Sequence, residues 1–76
     1  MSATDMSYKE SVLLDVAMHN DLMPEEATFL PKILERFVSK AGMSESEMLW
    51  HLATNKELSE YAAEVARKVN ITNPLG

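Results

Sequence analysis

The sequence predicts an all-α protein, a compact bundle of four short helices with an apolar N-terminal helix at the centre. Apolar residues recur at the three- and four-residue spacing of helices, and no stretch alternates apolar and polar residues as a strand would. Helix start signals, in which Ser or Thr is followed three residues later by Glu, precede several of these runs. We expect one helical domain over residues 7–69 of the 76, between a flexible N-terminus (residues 1–6) and a C-terminal tail (residues 70–76).

The first predicted helix runs from Tyr8 to His19 and carries the most apolar stretch of the chain, Val12 to Met18. Ser7 and Glu10 form the capping box at its start. At about 100° per residue, its apolar side chains cover more than half of the circumference. They leave one polar strip, formed by Ser11, Asp15 and His19. A helix that is apolar on most sides must be buried on most sides, so we expect the rest of the chain to cover it; a second copy, forming a homodimer, is the alternative cover.

Two prolines divide the middle of the chain. Pro24 suits the first turn of a helix, but Pro31 in the interior of the same helix would cost about 3 kcal/mol. We therefore expect a short turn over residues 24–28 and a separate helix that has Thr28 as its N-cap. That helix has a complete apolar stripe, formed by Leu30, Ile33, Leu34, Phe37, Val38 and Ala41. Gly42 is the expected stop, because glycine readily adopts the left-handed backbone conformation that ends helices.

Two further helices complete the predicted bundle. Ser44 and Glu47 form a capping box before a short helix, and Thr54 with Glu57 forms another before the last one. The last helix covers residues 55–69 and has acidic residues early and basic residues late, which favours its dipole. Its predicted apolar face consists of Leu58, Tyr61, Ala62, Val65 and Val69.

Composition restricts the function classes. The net charge of −5 argues against binding of nucleic acid or anionic membranes by bulk attraction, since both need clustered Lys and Arg. Without cysteine the chain has neither disulfides nor thiolate metal sites, so a core of this size relies on helix packing or self-association. No apolar run is long enough to span a membrane and no signal-peptide pattern is present, and we expect a soluble cytoplasmic protein.

One row of cations stands out in this acidic chain. Lys32, Arg36 and Lys40 are spaced four residues apart, so they line one outer face of their helix. They are candidates for docking an acidic partner or phosphates; the alternative is a solvated face, with or without pairing to the acidic region of the first helix. Trp50 lies toward the edge of the apolar sector of its helix and is a further candidate partner-binding residue, with a core role as the alternative.

No arrangement of residues predicts catalysis, a metal site or a cofactor. Ser11 and His19 would lie about 12 Å apart along one helix, too far for a hydrolytic triad with Asp15, and we expect Asp15 to pair with His19. Each helical pair of an acid and a histidine, Asp15 with His19 and Glu47 with His51, offers few ligands. The spacings of the common metal-binding motifs are absent.

These features predict a small non-enzymatic interaction or regulatory protein that presents helix surfaces to a protein partner. A DNA-binding regulator that uses residues 44–69 as a helix-turn-helix unit is the first alternative, although Glu57, Glu60 and Glu64 would then face phosphates. An acidic mimic of nucleic acid that blocks a basic partner is the second alternative. It requires the acids of the last helix to lie on one contiguous exposed face.

Overall fold

The computed structural model describes residues 7–72 and confirms an all-α bundle. Its helices are α1 (Tyr8–His19), α2 (Pro24–Ala27), α3 (Leu30–Ala41), α4 (Glu45–Thr54) and α5 (Lys56–Thr72). The helix α2 is a single turn of 4 residues, in agreement with the short turn expected before the second proline. None of the helices within the described range is long and apolar enough to cross a membrane.

The last helix extends beyond the predicted C-terminal end of the domain. The N-terminal segment 1–6 lies outside the described residues, as does the predicted tail from residue 73 onward. Residues 70–72, which the sequence assigns to the tail, instead form the last turn of α5. Pro74 restricts chiefly the residue before it, so the helix continues to Thr72, whose hydroxyl donates to the Lys68 carbonyl at 2.9 Å.

Local signals place three helix ends correctly. The backbone N–H of Glu10 donates to Ser7 Oγ at 3.1 Å, and the Ser7 N–H donates to Glu10 Oε1 at 3.1 Å, which is the predicted capping box. Gly42 follows α3 in the left-handed conformation with φ of 69°, and its N–H donates to the Val38 carbonyl at 2.9 Å. At the start of α4, the Glu47 N–H donates to Ser44 Oγ at 3.1 Å, which caps that helix.

Two predicted N-caps are wrong, and the same competing hydrogen bond explains both. Thr28 donates its hydroxyl to the Glu25 carbonyl at 2.6 Å, and Thr54 donates to the Trp50 carbonyl at 2.8 Å. Both hydroxyls therefore satisfy the helix that precedes them rather than the one that follows. The cap of α5 is Asn55, whose Oδ1 accepts from the Leu58 N–H at 3.2 Å.

One core connects the four longer helices. Its buried residues are Val12, Leu13, Val16 and Ala17 of α1, Leu30, Ile33 and Leu34 of α3, Met48, Leu49 and Leu52 of α4, and Ala62, Ala63 and Ala66 of α5. The helix α5 packs against each of the other four helices. Its buried residues are alanines, whose small side chains allow neighbouring helices to approach closely.

The buried face of α5 is displaced from the predicted one. Ala62 is buried as predicted, whereas Leu58 and Val65 are half-buried and Tyr61 is exposed. The helices converge where the α5 side chains are smallest, so its larger apolar residues lie at the edges of the contact. Tyr61 consequently forms part of the surface.

The N-terminal helix α1 supplies core residues as expected, and α5 packs against all four of the other helices. Val12 and Val16 are buried, while Leu14 and Met18 on the outer side are 46% and 65% exposed. The wide apolar sector of α1 is thus covered on one side only. The 17-residue length of α5 is what allows it to reach every neighbour.

A polar connection that the sequence does not reveal fastens the end of α1 to α5. The Asn20 amide donates to the Val16 carbonyl at 2.8 Å and to Ser59 Oγ at 3.2 Å. The Arg67 guanidinium donates to the Asn20 carbonyl. These contacts are partly buried, so they fix the turn between α1 and α2 relative to α5.

The alanine face of α5 gives a first prediction. Ala63→Leu adds a large side chain where the exposed fraction is 0%, and overpacking of a close contact costs about 1–3 kcal/mol of unfolding free energy. Ala53→Leu, at an exposed position of α4, is the matched control and should change stability by less than about 0.5 kcal/mol. Urea unfolding followed by circular dichroism measures both, and equal stability of the two variants would contradict the central role of this face.

The capping of α5 gives a second prediction. Asn55→Ala removes the acceptor for the Leu58 N–H and should lower the unfolding free energy by about 1 kcal/mol. Thr54→Ala, one residue earlier, should change it by less than about 0.5 kcal/mol, because that hydroxyl serves only the end of α4. The same urea titration compares the two variants. A larger loss of unfolding free energy for Thr54→Ala than for Asn55→Ala would indicate that Thr54 is the N-cap of α5.

Candidate interaction surface

The basic row, which we define as Lys32, Arg36 and Lys40, lies along the exposed side of α3. Within residues 7–72 the one ion pair joins Lys9 Nζ to Glu45 Oε2 at 3.3 Å, so no described acid neutralises the basic row. No pairing with the acidic region of α1 is therefore seen among the described residues, and the exposure of the row fits the solvated face that is the alternative to a binding role. Three cations in a protein of net charge −5 remain available to a ligand.

A groove of about 240 Å³ runs beside this row, between α3 and α5. Its lining consists of Ile33, Arg36, Phe37, Lys40, Tyr61, Val65 and Val69. Two members of the basic row thus form part of a wall whose floor is mainly apolar. From Ile33 to Lys40 the groove follows α3 for about 10 Å, at 1.5 Å per residue.

An aromatic pair crosses the groove. The rings of Phe37 on α3 and Tyr61 on α5 are stacked, with centroids 5.6 Å apart and an angle of 13° between their planes. Phe37 is half-buried, whereas Tyr61 is 57% exposed and presents much of its surface to solvent. An exposed, rigid tyrosine beside cations is a typical anchor for a protein partner.

Beyond Tyr61, outside the residues that line the groove, lies an acidic row on α5, defined as Glu57 and Glu64, both of them exposed. Glu57 and Glu64 are four residues before and three after Tyr61, so they share its face of α5. The apolar floor therefore separates cations on α3 from carboxylates on α5. The sequence shows both rows but not that they flank one groove, because nothing in it indicates that α3 and α5 are neighbours.

Trp50 lies apart from this groove. It is 56% exposed on α4, and its ring meets His51 edge-on with centroids 5.2 Å apart. The alternative core role is thereby excluded, and the groove lining does not include it. The structure brings together Arg36 and Lys40 of the predicted partner-binding residues, keeps Lys32 on the same row, and leaves Trp50 on another surface.

A larger opening of about 420 Å³ lies where the ends of α1 and α4 meet the start of α5. Its lining combines two acids, Asp15 and Glu60, with Lys56, so it lacks the positive charge of the α3–α5 groove. Several of its polar groups already have protein partners: Asn20 bonds to Ser59. We therefore regard the α3–α5 groove as the stronger candidate, although it is smaller.

The residues considered for catalysis and metal binding form no cluster of three or more potential metal ligands within residues 7–72. His19 Nδ1 lies 2.9 Å from the main-chain oxygen of Asp15, so the expected pairing of the two residues uses the backbone rather than the carboxylate.

Comparison with known proteins gives no match: no family model fits the chain, and neither the curated proteins nor the solved structures contain a significant relative.

The exposure of the basic row gives a third prediction. Arg36→Gln/Lys40→Gln should change the unfolding free energy by less than about 0.5 kcal/mol, because neither cation has an ionic partner among the described residues. Ile33→Ala, on the same helix but buried, should cost about 2–5 kcal/mol and sets the scale. Thermal or urea unfolding tests the pair, and a large loss in the glutamine variant would show that these cations serve the fold.

Proposed function

We propose that this protein is a non-enzymatic protein-interaction module that binds an acidic amphipathic helix of a partner in the α3–α5 groove. One observation carries the proposal. The half-buried Phe37, the exposed Tyr61 stacked on it and an apolar floor lie directly beside cations that have no ionic partner within residues 7–72. A ligand that fits both features must combine apolar and acidic groups.

The dimensions favour a helix as that ligand. The groove follows α3 for about two turns, which suits side chains at positions i, i+3 or i+4, and i+7 of a bound helix. Apolar contacts with Phe37 and Tyr61 would supply most of the affinity. Arg36 and Lys40 would orient the ligand and accelerate its association.

The overall acidity of the protein adds selectivity. An acidic ligand is repelled by most of a surface with net charge −5 and attracted only near the basic row. Repulsion by the rest of the surface therefore disfavours binding of the ligand outside the groove. The small size of the groove is typical of a transient interaction rather than a permanent one.

The two nucleic-acid alternatives have weaker support. A helix-turn-helix formed by residues 44–69 would turn Glu57, Glu60 and Glu64 toward phosphates, and these acids are exposed. The contiguous acidic face that mimicry requires is present, but three carboxylates over about 10 Å of helix are sparse. Duplex DNA carries one charge per about 1.7 Å of axis.

A synthetic helix tests the proposed function. The probe is a labelled peptide of about 15 residues with Leu at i, i+3 and i+7 and Glu on both flanks. We expect binding by fluorescence anisotropy, and Arg36→Glu/Lys40→Glu should weaken it by at least about tenfold at low salt, because two attractions become repulsions.

Two controls make this test specific. Lys9→Glu/Lys56→Glu changes the net charge equally but alters residues outside the groove lining, so it should leave the affinity within about threefold. A peptide with Lys in place of Glu should bind far more weakly than the acidic probe. Equal binding of the two peptides would refute the proposed ligand class.

A further inference from the structure

The α3–α5 face carries both signs of charge in an ordered arrangement. The basic row lies on one side, the apolar floor in the middle, and the acidic row on the other side. We infer that this face is self-complementary, and that a second copy of this chain binds to it around a two-fold axis parallel to the groove. The inference rests on the proposed function, because the second copy covers the same groove and its carboxylates are attracted to the same basic row.

The basic row and the acidic row lie at similar positions along the groove, measured from the aromatic stack. Phe37 and Tyr61 face each other, so they lie at one level. Arg36 and Lys40 are one residue before and three after Phe37, and Glu57 and Glu64 of the acidic row are four residues before and three after Tyr61. At 1.5 Å per residue, all four charged residues are therefore within about 6 Å of the stack along their helices.

Symmetry then selects one orientation. A two-fold axis parallel to the groove leaves the position of each residue along the groove unchanged and exchanges the two sides of the groove. The basic row of one copy then lies over the acidic row of the other. An axis across the groove leaves each side in place and sets like charges against each other. Only the first arrangement is electrostatically favourable, and it forms the same contacts twice, as an isologous dimer requires.

The same orientation brings the apolar surfaces together. The exposed ring of Tyr61 in one copy comes to lie over the Phe37 side of the groove in the other. Four aromatic rings would then form one cluster, shielded at its rim by the pairs of opposite charge. Lys68 also lies on the acidic side, one turn beyond Glu64, and its positive charge repels the basic row of the second copy there. The attraction between the basic and acidic rows is therefore strongest near the stack of Phe37 and Tyr61.

The dimer and the partner complex exclude each other, because both occupy the groove. A partner helix therefore binds only after the two copies separate. Protein concentration and salt would in this way control how much of the surface is open to the partner.

The experiment is a charge exchange between two variants of the full chain, measured by sedimentation velocity over a concentration series at low salt. Wild type should show a monomer–dimer equilibrium that weakens as salt is added. Arg36→Glu/Lys40→Glu has acids on both sides of the groove, and Glu57→Lys/Glu64→Lys has cations on both. Each should raise its dimer dissociation constant by at least about tenfold.

An equimolar mixture of the two variants should form the heterodimer, because acids then face cations on both sides. Circular dichroism confirms that each variant is folded, and Arg36→Gln/Lys40→Gln provides a version without like-charge repulsion that should also weaken the dimer. Lys9→Glu/Lys56→Glu, matched in net charge to the first variant, should dimerise as wild type does. A monomeric wild type, or a dimer unaffected by both reversals, would overturn the inference.

The acidic helical probe separates this inference from the proposed function. Glu57→Lys/Glu64→Lys keeps the basic row and frees the groove from its second copy, so it should bind the probe more tightly than wild type. A monomeric wild type that binds the probe overturns the dimer alone. A dimer that obeys the charge exchange while no variant binds the probe overturns the partner helix alone.

Discussion

The burial of the alanine face of α5 is the constraint on which the rest of this structure depends. Ala63 and Ala66 have exposed fractions of 0%, and their small side chains allow neighbouring helices to approach closely. Because the contact centres on small side chains, larger apolar residues are displaced to its edges. Tyr61 and Val65 then line a groove instead of filling the core. The candidate interaction surface is thus a direct consequence of how the core is packed.

The same packing determines which charged residues lie near one another. In the sequence, the basic row and the acidic row belong to different helices and are at least 17 positions apart (Lys40 to Glu57), in a chain of net charge −5. The contact between α3 and α5 places them on opposite sides of one apolar strip. An acidic protein thereby gains one local region that attracts acids, and the strip beside it supplies the apolar contact that screened surface charges alone would not.

What the sequence predicts well is what short-range interactions decide. The capping box of Ser7 and the stop at Gly42 involve neighbours within four residues, and both are confirmed. Thr28 and Thr54 fail because a threonine hydroxyl can bond forward or backward, and the outcome depends on the preceding helix. Periodicity correctly places the basic row outside the core, but the groove next to it requires knowledge of which helices meet. The sequence also left open whether Trp50 is buried, since that depends on where α4 lies in the bundle.

The other exposed apolar surface shows why the groove is the better place for a second copy. Leu14 and Met18 form an open pair on α1, the helix whose apolar excess first suggests a dimer. Their exposed polar neighbours include Glu10 and Asp15, while Lys9 is already paired with Glu45. Two copies meeting there would set carboxylates against carboxylates with no free cation between them. The α3–α5 face offers apolar contact of the same kind together with both signs of charge, so association there gains from electrostatics where association through α1 would lose.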